Sequence, residues 1–345
     1  MITIPRKDKY TAAVIGTGRI GMLLESDPKR RKPATHFGMW NSHERFDLAA
    51  ACDNDPAKFE VARSLNPEVR CYTDPAQLLR EIKPDVVSIS TWRDSHYEML
   101  KLCLEAGVPA IVCEKPIAEK QEHADEVVAE ARRRGIHLLI NHRRRFDPLL
   151  YPFRDDLRNG IIGEILQVNC FYVYGLITTG THLVDALRFF LKDIAGEMVW
   201  TSAFPNAFST FTPPDDPNID GFIGFENGLK VAIQTLSMKD WDNFDFAFHG
   251  RKGRAVFKNI GRDIEIFRAR ESPEHLGFTE LENTPSEFRG GEPRNQFGFM
   301  ADNVVDCLEG RGQSLSTGED SLKALQVLLA MQKSAASGGA VVRID

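Results

Sequence analysis

No stretch of about 18 consecutive apolar residues occurs anywhere in this 345-residue chain, so no segment is suited to cross a membrane as a helix. The opening residues, Met1 to Tyr10, lack the apolar core of a secretory leader. Cysteine is sparse and unpatterned. Cys52, Cys71, Cys103, Cys113, Cys170 and Cys307 form no CxxC pair and share no spacing, which leaves no readable disulfide framework or zinc ribbon. Several sit in apolar runs, where a free thiol packs as a small core residue, and a reducing cytoplasm is the expected compartment. The nine histidines include no HExxH, and no metal is expected. A basic excess is also missing: 43 Lys and Arg face 49 Asp and Glu, for a formal net charge of -6. That disfavours a general binder of phosphate backbones, so nucleic acid is not expected as a partner. Repeats and low-complexity tracts are absent. With 42% hydrophobic and 27% charged residues, a disordered, collagen-like or coiled-coil chain is excluded.

What is present is enough chain for two domains. In the first part, short runs that are apolar throughout (residues 11–15, 48–52, 86–90, 110–113 and 138–141) alternate with amphipathic stretches at 75–82, 96–106 and 120–134. Tyr97, Leu100 and Leu104 mark a helical stripe, and Gly107 and Gly135 stand where C-terminal caps belong. Strands without a polar face, separated by helices, predict a parallel sheet covered on both sides. The expected fold is therefore α/β, with a doubly wound Rossmann domain over residues 1–145. After Phe146 the period changes to strand-like alternation at 165–174, 221–225, 229–235, 244–249 and 254–258. Glu226-Asn227-Gly228 reads as a hairpin with a type I′ turn. Residues 262–293 read as loops with one more strand, followed by helices at 296–309 and 318–335 and a short apolar end at 341–344. Residues 146–345 are thus expected to form an α+β domain with a large, mainly antiparallel open sheet, the C-terminal helices being free to pack back on the first domain.

The sharpest local signal is Gly16-Thr17-Gly18-Arg19-Ile20-Gly21, which follows the first apolar run and leads into Met22-Leu23-Leu24, read as the start of a helix. In that context Gly16 permits a tight turn, Gly18 lets the backbone approach a pyrophosphate, and Gly21 lets helix and strand pack closely. Asp53 closes the second run, where a carboxylate bonds the adenosine ribose and disfavours a 2′-phosphate. NAD is expected as the cofactor, with NADP as the alternative. Asp53 lies well beyond the roughly 20-residue spacing usual after the glycine motif. The excess is assigned to an insertion around residues 26–41. That insertion carries Lys29-Arg30-Arg31-Lys32, read as a solvated loop in preference to a 2′-phosphate site.

Further elements follow in order. Thr91 and His96 come after the fourth run, Glu114-Lys115-Pro116 after the fifth, then Arg144-Arg145-Phe146-Asp147-Pro148, Asn159-Gly160-Ile161-Ile162-Gly163-Glu164-Ile165 and Gly180-Thr181-His182-Leu183-Val184-Asp185. Together with the glycine motif they resemble the Gfo/Idh/MocA oxidoreductases, the relatives of glucose–fructose oxidoreductase and inositol dehydrogenase, from residue 11 to about 340. The resemblance implies an NAD(P)-dependent enzyme that moves a hydride between nicotinamide and a secondary alcohol or ketone of a sugar, polyol or sugar derivative. Gly16, Gly18, Arg19, Ile20, Gly21, Asp53, Thr91, His96, Glu114 and Lys115 would hold the cofactor. Lys115 would polarise the substrate oxygen, within a Lys115–Pro116 bond that is cis in relatives, and His182 would be the acid/base, with an imidazole pKa near 6.5 suited to that work.

Arg144 would line the substrate pocket or belong to a solvated or interdomain patch. Asp185 would orient His182 or make a structural bond, and Tyr174 would line the pocket or the core. The resemblance also implies a homodimer or homotetramer. One position departs from the family: where many relatives have an aspartate four residues before the histidine, this chain has Thr178, which can hydrogen-bond but holds no charge. That departure keeps two other functions open, a non-catalytic sensor of dinucleotide or sugar and an NAD-using glycoside hydrolase.

Overall fold

Alanine, valine and isoleucine leave no polar face on β1 (Tyr10–Ile15), so it is buried on both sides, and the same holds for the other central strands of the first sheet. The computed structural model describes residues 2–209, 211–291 and 294–344. After β1 the chain forms α1 (His36–Ser42), β2 (Phe46–Cys52), α2 (Phe59–Leu65), β3 (Arg70–Tyr72), α3 (Pro75–Ile82), β4 (Val86–Ile89), α4 (His96–Glu105), β5 (Ala110–Cys113), α5 (Gln121–Arg134) and β6 (His137–Ile140). The six strands are parallel, in the order β3-β2-β1-β4-β5-β6. This is the doubly wound order, whose reversal between β1 and β4 creates a crevice at the strands' carboxyl ends. Asp74 caps α3 through Ala76 N–H, and Gly135 closes α5 in the left-handed conformation, as its place in the sequence required.

The second part contains α6 (Leu150–Arg158), β7 (Ile165–Val173), α7 (Thr181–Ala195), β8 (Met198–Pro205), β9 (Ile219–Phe225), β10 (Lys230–Leu236), β11 (Asp245–Gly250), β12 (Gly253–Lys258), β13 (Asp263–Glu271), β14 (Thr279–Leu281), β15 (Glu287–Arg289), α8 (Gln296–Leu308), α9 (Gly318–Ala336) and β16 (Val342–Arg343). Its sheet runs β14-β13-β12-β11-β7-β10-β9-β8-β16, with β15 beside β13, and is antiparallel except where β7 meets β10. One face is packed. Phe190 of α7 lies edge-on against Phe246, Phe248 and Phe257 of the sheet, at centroid separations of 6.0, 5.6 and 5.9 Å.

Contacts divide the chain into two compact units. The first runs to Asp147 and takes in Arg294–Lys323, including α8; the second begins at Pro148 and resumes at Ala324.

Three local expectations are corrected. The 262–293 segment holds three strands rather than one, because β14 and β15 fold back as short edges on β13; Glu292 and Pro293 at its end lie outside the described residues. The β9–β10 connection is not a type I′ turn, since Gly228 alone takes a positive φ (+92°) there. Asn227 instead spends its side chain accepting the Leu229 N–H at 2.9 Å. The helix expected from Met22 does not run on: a short 3-10 turn at Leu23–Ser26 opens a detour, and α1 starts only at His36.

Candidate active site

The glycine motif leaves β1 at the switch point, and its three glycines are there for different reasons. A Cβ on Gly16, whose φ is +92°, would lie 2.6 Å from the Ser90 carbonyl carbon and the Thr91 nitrogen at the end of β4. On Gly21 it would lie 2.0 Å from the Gly16 oxygen. The fold itself therefore demands both. Gly18 has nothing within 4 Å of such a Cβ and its φ is unremarkable, so the fold does not require it. It keeps open the space in front of the turn that starts with Met22 N–H donating to Gly18 O at 2.9 Å. An open glycine before a helical turn fits a pyrophosphate held by main-chain N–H groups. Arg19 is exposed and Ile20 half-buried on that turn.

The detour closes tightly. His36 N–H donates to Ile20 O at 3.2 Å and Phe37 N–H to Gly21 O at 2.8 Å, so α1 resumes the path that the first turn began. Glu25 locks the neck, its Oε2 accepting from Ala34 N–H at 2.9 Å and Thr35 Oγ1 at 2.7 Å, while Thr35 caps Gly38 N–H at 3.0 Å. The detour thus ends where α1 begins, and Lys29-Arg30-Arg31-Lys32 is an exposed run within it.

At the end of β2, Asp53 faces the glycine loop. Its Oδ2 accepts from Thr17 N–H at 2.8 Å and Thr17 Oγ1 at 2.9 Å, and its Oδ1 from Asp55 N–H at 3.0 Å and Lys58 Nζ at 2.9 Å. Burial works to raise this carboxyl, but Lys58 and the Asp55 and Thr17 donors outweigh it and hold the group below the usual range.

Beyond β4, Thr91 is half-buried, its hydroxyl accepting from Ser95 Oγ at 2.8 Å. His96 is buried with Nδ1 2.7 Å from Pro116 O and Nε2 3.2 Å from Thr91 O. A main-chain carbonyl lies within reach of each ring nitrogen, and the neutral ring donates to one of them, so His96 sits between the β4 and β5 loops. Burial lowers its pKa. The β5 loop carries Glu114 and the half-exposed Lys115, joined to Pro116 by a cis peptide. Glu114 is buried and accepts at one oxygen, Oε1, from His36 Nε2 at 3.0 Å and from Asn141 Nδ2 at 2.5 Å. Desolvation alone would raise its pKa; the His36 bond and charge, the Lys115 charge and Asn141 bring it down to about 2. Arg144, on a 3-10 turn after β6, is buried, as is Arg145, which pairs with Asp320 at 3.2 Å, so these two are not a solvated patch.

The remaining candidates gather in the second unit. Past β7 the backbone turns through Tyr174 (φ +64°) and Gly175 (φ +88°) into a π-helical turn, Leu176–Gly180, that feeds α7. Left-handed non-glycine residues and π turns both mark places where strain is tolerated for a use. Asp216, fully buried, staples this turn: Oδ1 accepts from Ile177 N–H and Oδ2 from Thr178 N–H, each at 2.7 Å. A Cβ on Gly175 would sit 2.4 Å from that carboxylate, so glycine is obligatory. Asn218 Oδ1 takes the Gly175 N–H at 2.7 Å. Tyr174 is half-buried and packs its ring on Phe211 at 5.6 Å; His182 is half-buried in the first turn of α7, and Asp185 is buried one turn on.

The structure therefore collects Gly16, Gly18, Gly21, Asp53, Thr91, Glu114 and Lys115 around the carboxyl ends of one sheet, and Tyr174, Thr178, His182 and Asp185 around one turn of the other unit. Reading the sequence missed His36, Asn141 and Asp216. The first two flank elements that were recognised, but only the spatial convergence on Glu114 distinguishes them. Among the described residues no cluster of three or more His, Cys, Asp or Glu could hold a metal, and no helix is long and apolar enough to cross a membrane.

Comparison with known proteins places these elements in a wider set. The profile of an oxidoreductase family's NAD-binding Rossmann fold matches residues 10–142, and that of the same family's C-terminal alpha/beta domain matches residues 154–344. The chain is similar to 1,5-anhydro-D-fructose reductase of Ensifer adhaerens, at 27% identity over 79% of this chain and 83% of that protein. It is likewise similar to D-apiose dehydrogenase of Paraburkholderia graminis, at 27% identity over 89% and 85%. Among solved structures, the WlbA dehydrogenase of Bordetella pertussis, in complex with NADH and UDP-GlcNAcA, shares the fold with a TM-score of 0.75, at 19% identity over 97% of this chain and 98% of that one.

Proposed function

The chain belongs to the Gfo/Idh/MocA oxidoreductase family with its NAD-binding Rossmann fold, and from that premise we propose that it oxidises or reduces a secondary alcohol or ketone of a sugar, polyol or sugar derivative. The observation that carries the reading is the pair of features at the carboxyl ends of the first sheet. Gly18 is a glycine the fold does not need, in front of an N-terminal helical turn, and Lys115 follows a buried carboxylate two strands away. The sugar-derived names of the relatives support the substrate class.

In this reading the 16–21 turn holds the pyrophosphate, and Asp53, already turned toward the glycine loop, takes the adenosine ribose and selects NAD over NADP. Thr91 and Glu114 flank the nicotinamide end. NAD supplies the two-electron exchange when bound. The chain's own residues do the rest. Lys115 polarises the substrate oxygen and stabilises alkoxide character. His182 takes the hydroxyl proton in oxidation and returns it in reduction, an imidazole being able to do either near neutrality. Arg144 and Tyr174 contact the substrate. Thr178 stands where many members of the family have an aspartate, so His182 works without that negative neighbour, and Asp185 is left to orient its ring. The protein acts in the cytoplasm as a homodimer or homotetramer.

The test is nicotinamide absorbance with NAD, NADP and their reduced forms against a panel of sugars, polyols and keto-sugars, with Lys115→Ala and His182→Ala in parallel. Turnover with NAD that drops by about 100-fold or more in either variant supports the reading, general acid–base groups alone contributing about 10²- to 10⁴-fold. Turnover that ignores both substitutions refutes the assignment. Thr178 favours a second reading, a cofactor-binding sensor, which predicts tight NAD binding with no absorbance change for any substrate.

A further inference from the structure

Buried His36 and Asn141 bond Glu114, Ser88 and Trp40 extend the chain behind His36, and the chemistry above uses none of them. Polar groups at the centre of an α/β core are costly unless fully paired. Their donor and acceptor inventory fixes the direction of the chain. Trp40 Nε1 can only donate, so Ser88 Oγ accepts from it at 2.8 Å. Ionised Glu114 can only accept, so His36 Nε2 carries the hydrogen and donates across 3.0 Å. In the neutral ring His36 Nδ1 is then the acceptor for the Ser88 hydroxyl, also at 3.0 Å. Asn141 Nδ2 adds a second donor to the same carboxylate oxygen, at 2.5 Å.

We propose that His36 is a positioning residue: as the end of the Trp40–Ser88–His36 chain it fixes Glu114 as a buried anion beside Lys115, and so keeps Lys115 cationic and fit to polarise oxygen rather than to accept a proton. This rests on the reading of Lys115 given above. The charge balance around Glu114 agrees with it. Facing Glu114 are His36 from α1, Asn141 after β6, Lys115 next in the chain, His96 from α4 and Cys113 of β5. Burial disfavours charge on both His96 and Cys113, and the charges that lower Glu114 are those of His36 and Lys115. His36 also has a reason to be where it is, since the neck of the 22–35 detour sets it against β4 through Ile20 O.

The experiment measures the rate at which cyanate carbamylates Lys115, by peptide mass spectrometry at pH 8, in the full-length protein and in Glu114→Gln, His36→Asn, His36→Gln and the His36→Asn/Glu114→Gln double variant. It needs no turnover, so its outcome is separate from that of the oxidoreductase reading. Loss of an interacting opposite charge lowers a lysine's pKa by about 1–3 units, so Glu114→Gln should label about 10-fold faster or more. His36→Asn, which reaches only the Nδ1 side, should label about 3-fold faster or more through loss of a hydrogen bond to a charged group. His36→Gln, whose amide nitrogen can stand in for Nε2, should stay within about 2-fold of wild type. The double variant should label no faster than Glu114→Gln alone, the signature of two residues acting through one path.

A His36→Asn rate equal to wild type, or effects that multiply in the double variant, overturns the proposal. A measurement that needs no His36 variant guards against misfolding: nitrogen-15 NMR of labelled histidine should find His36 as the Nε2–H tautomer, perturbed in Glu114→Gln. An Nδ1–H tautomer overturns it as well.

Discussion

Gly18→Ala separates ligand recognition from folding. The new methyl meets nothing within 4 Å, and the backbone there is not left-handed, so the fold has no objection. Replacing glycine at a compatible position stabilises by about 0.4–1 kcal/mol through the unfolded chain. In a unit of this size that amounts to a rise of about 2–4 °C or less in melting temperature. The same methyl enters the space assigned to the pyrophosphate. Losing or stretching one N–H bond to a charged phosphate costs about 1.5–3 kcal/mol, equivalent to about 10- to 100-fold in Kd. The assay is NAD affinity by calorimetry beside a thermal melt. Gly21→Ala is the control: its methyl would sit 2.0 Å from the Gly16 oxygen, so it must lower stability. A Gly18→Ala protein that is stable and binds NAD like wild type refutes the placement of the cofactor on this turn.

Asp53→Ala should weaken NAD by about 10-fold and NADP less, because one carboxylate both bonds the ribose and repels a 2′-phosphate; equal losses for the two would contradict that role. Asp216→Asn replaces one of two acceptors that hold the Ile177 and Thr178 N–H groups. It should lower kcat by about 10-fold with cofactor affinity unchanged, a buried donor left unpaired costing about 1–3 kcal/mol; an unaltered kcat would remove the link between that turn and His182. Glu114 has its folded pKa depressed from 4.5 to about 2. It therefore adds stability that is complete above pH 4.5 and fades as pH falls toward 2. Urea midpoints for Glu114→Gln should accordingly lose part of the wild-type decline over that window, and parallel curves would show the carboxylate is not depressed.

Much of this architecture is legible in the sequence because it is written in local pattern. Runs without a polar face marked β1, β2, β4, β5 and β6, and Gly135 punctuated α5. The short edge strands were harder. β3, β14 and β15 have three residues each, too few for alternation to show, and exist because a neighbour's unpaired edge recruits them. α1 was hidden because the 22–35 detour separates it from the turn it continues, and that continuity lives in two hydrogen bonds, His36 to Ile20 and Phe37 to Gly21. At the site, Gly16, Gly18, Gly21, Asp53, Glu114 and Lys115 carried signals of residue type and position. Asp216 and His36 carried none. An aspartate in a proline-rich loop and a histidine on a short helix acquire meaning only through the turn and the carboxylate that folding sets beside them.

Hydride transfer to the nicotinamide is tested most directly by following an isotope. Sugars and polyols deuterated at their secondary carbinol carbons are incubated with the protein and NAD, and the nicotinamide is then analysed by mass spectrometry. Deuterium should appear in the reduced cofactor, and Lys115→Ala should abolish it. NAD that is bound, yet never acquires label from any member of the set, would contradict hydride transfer.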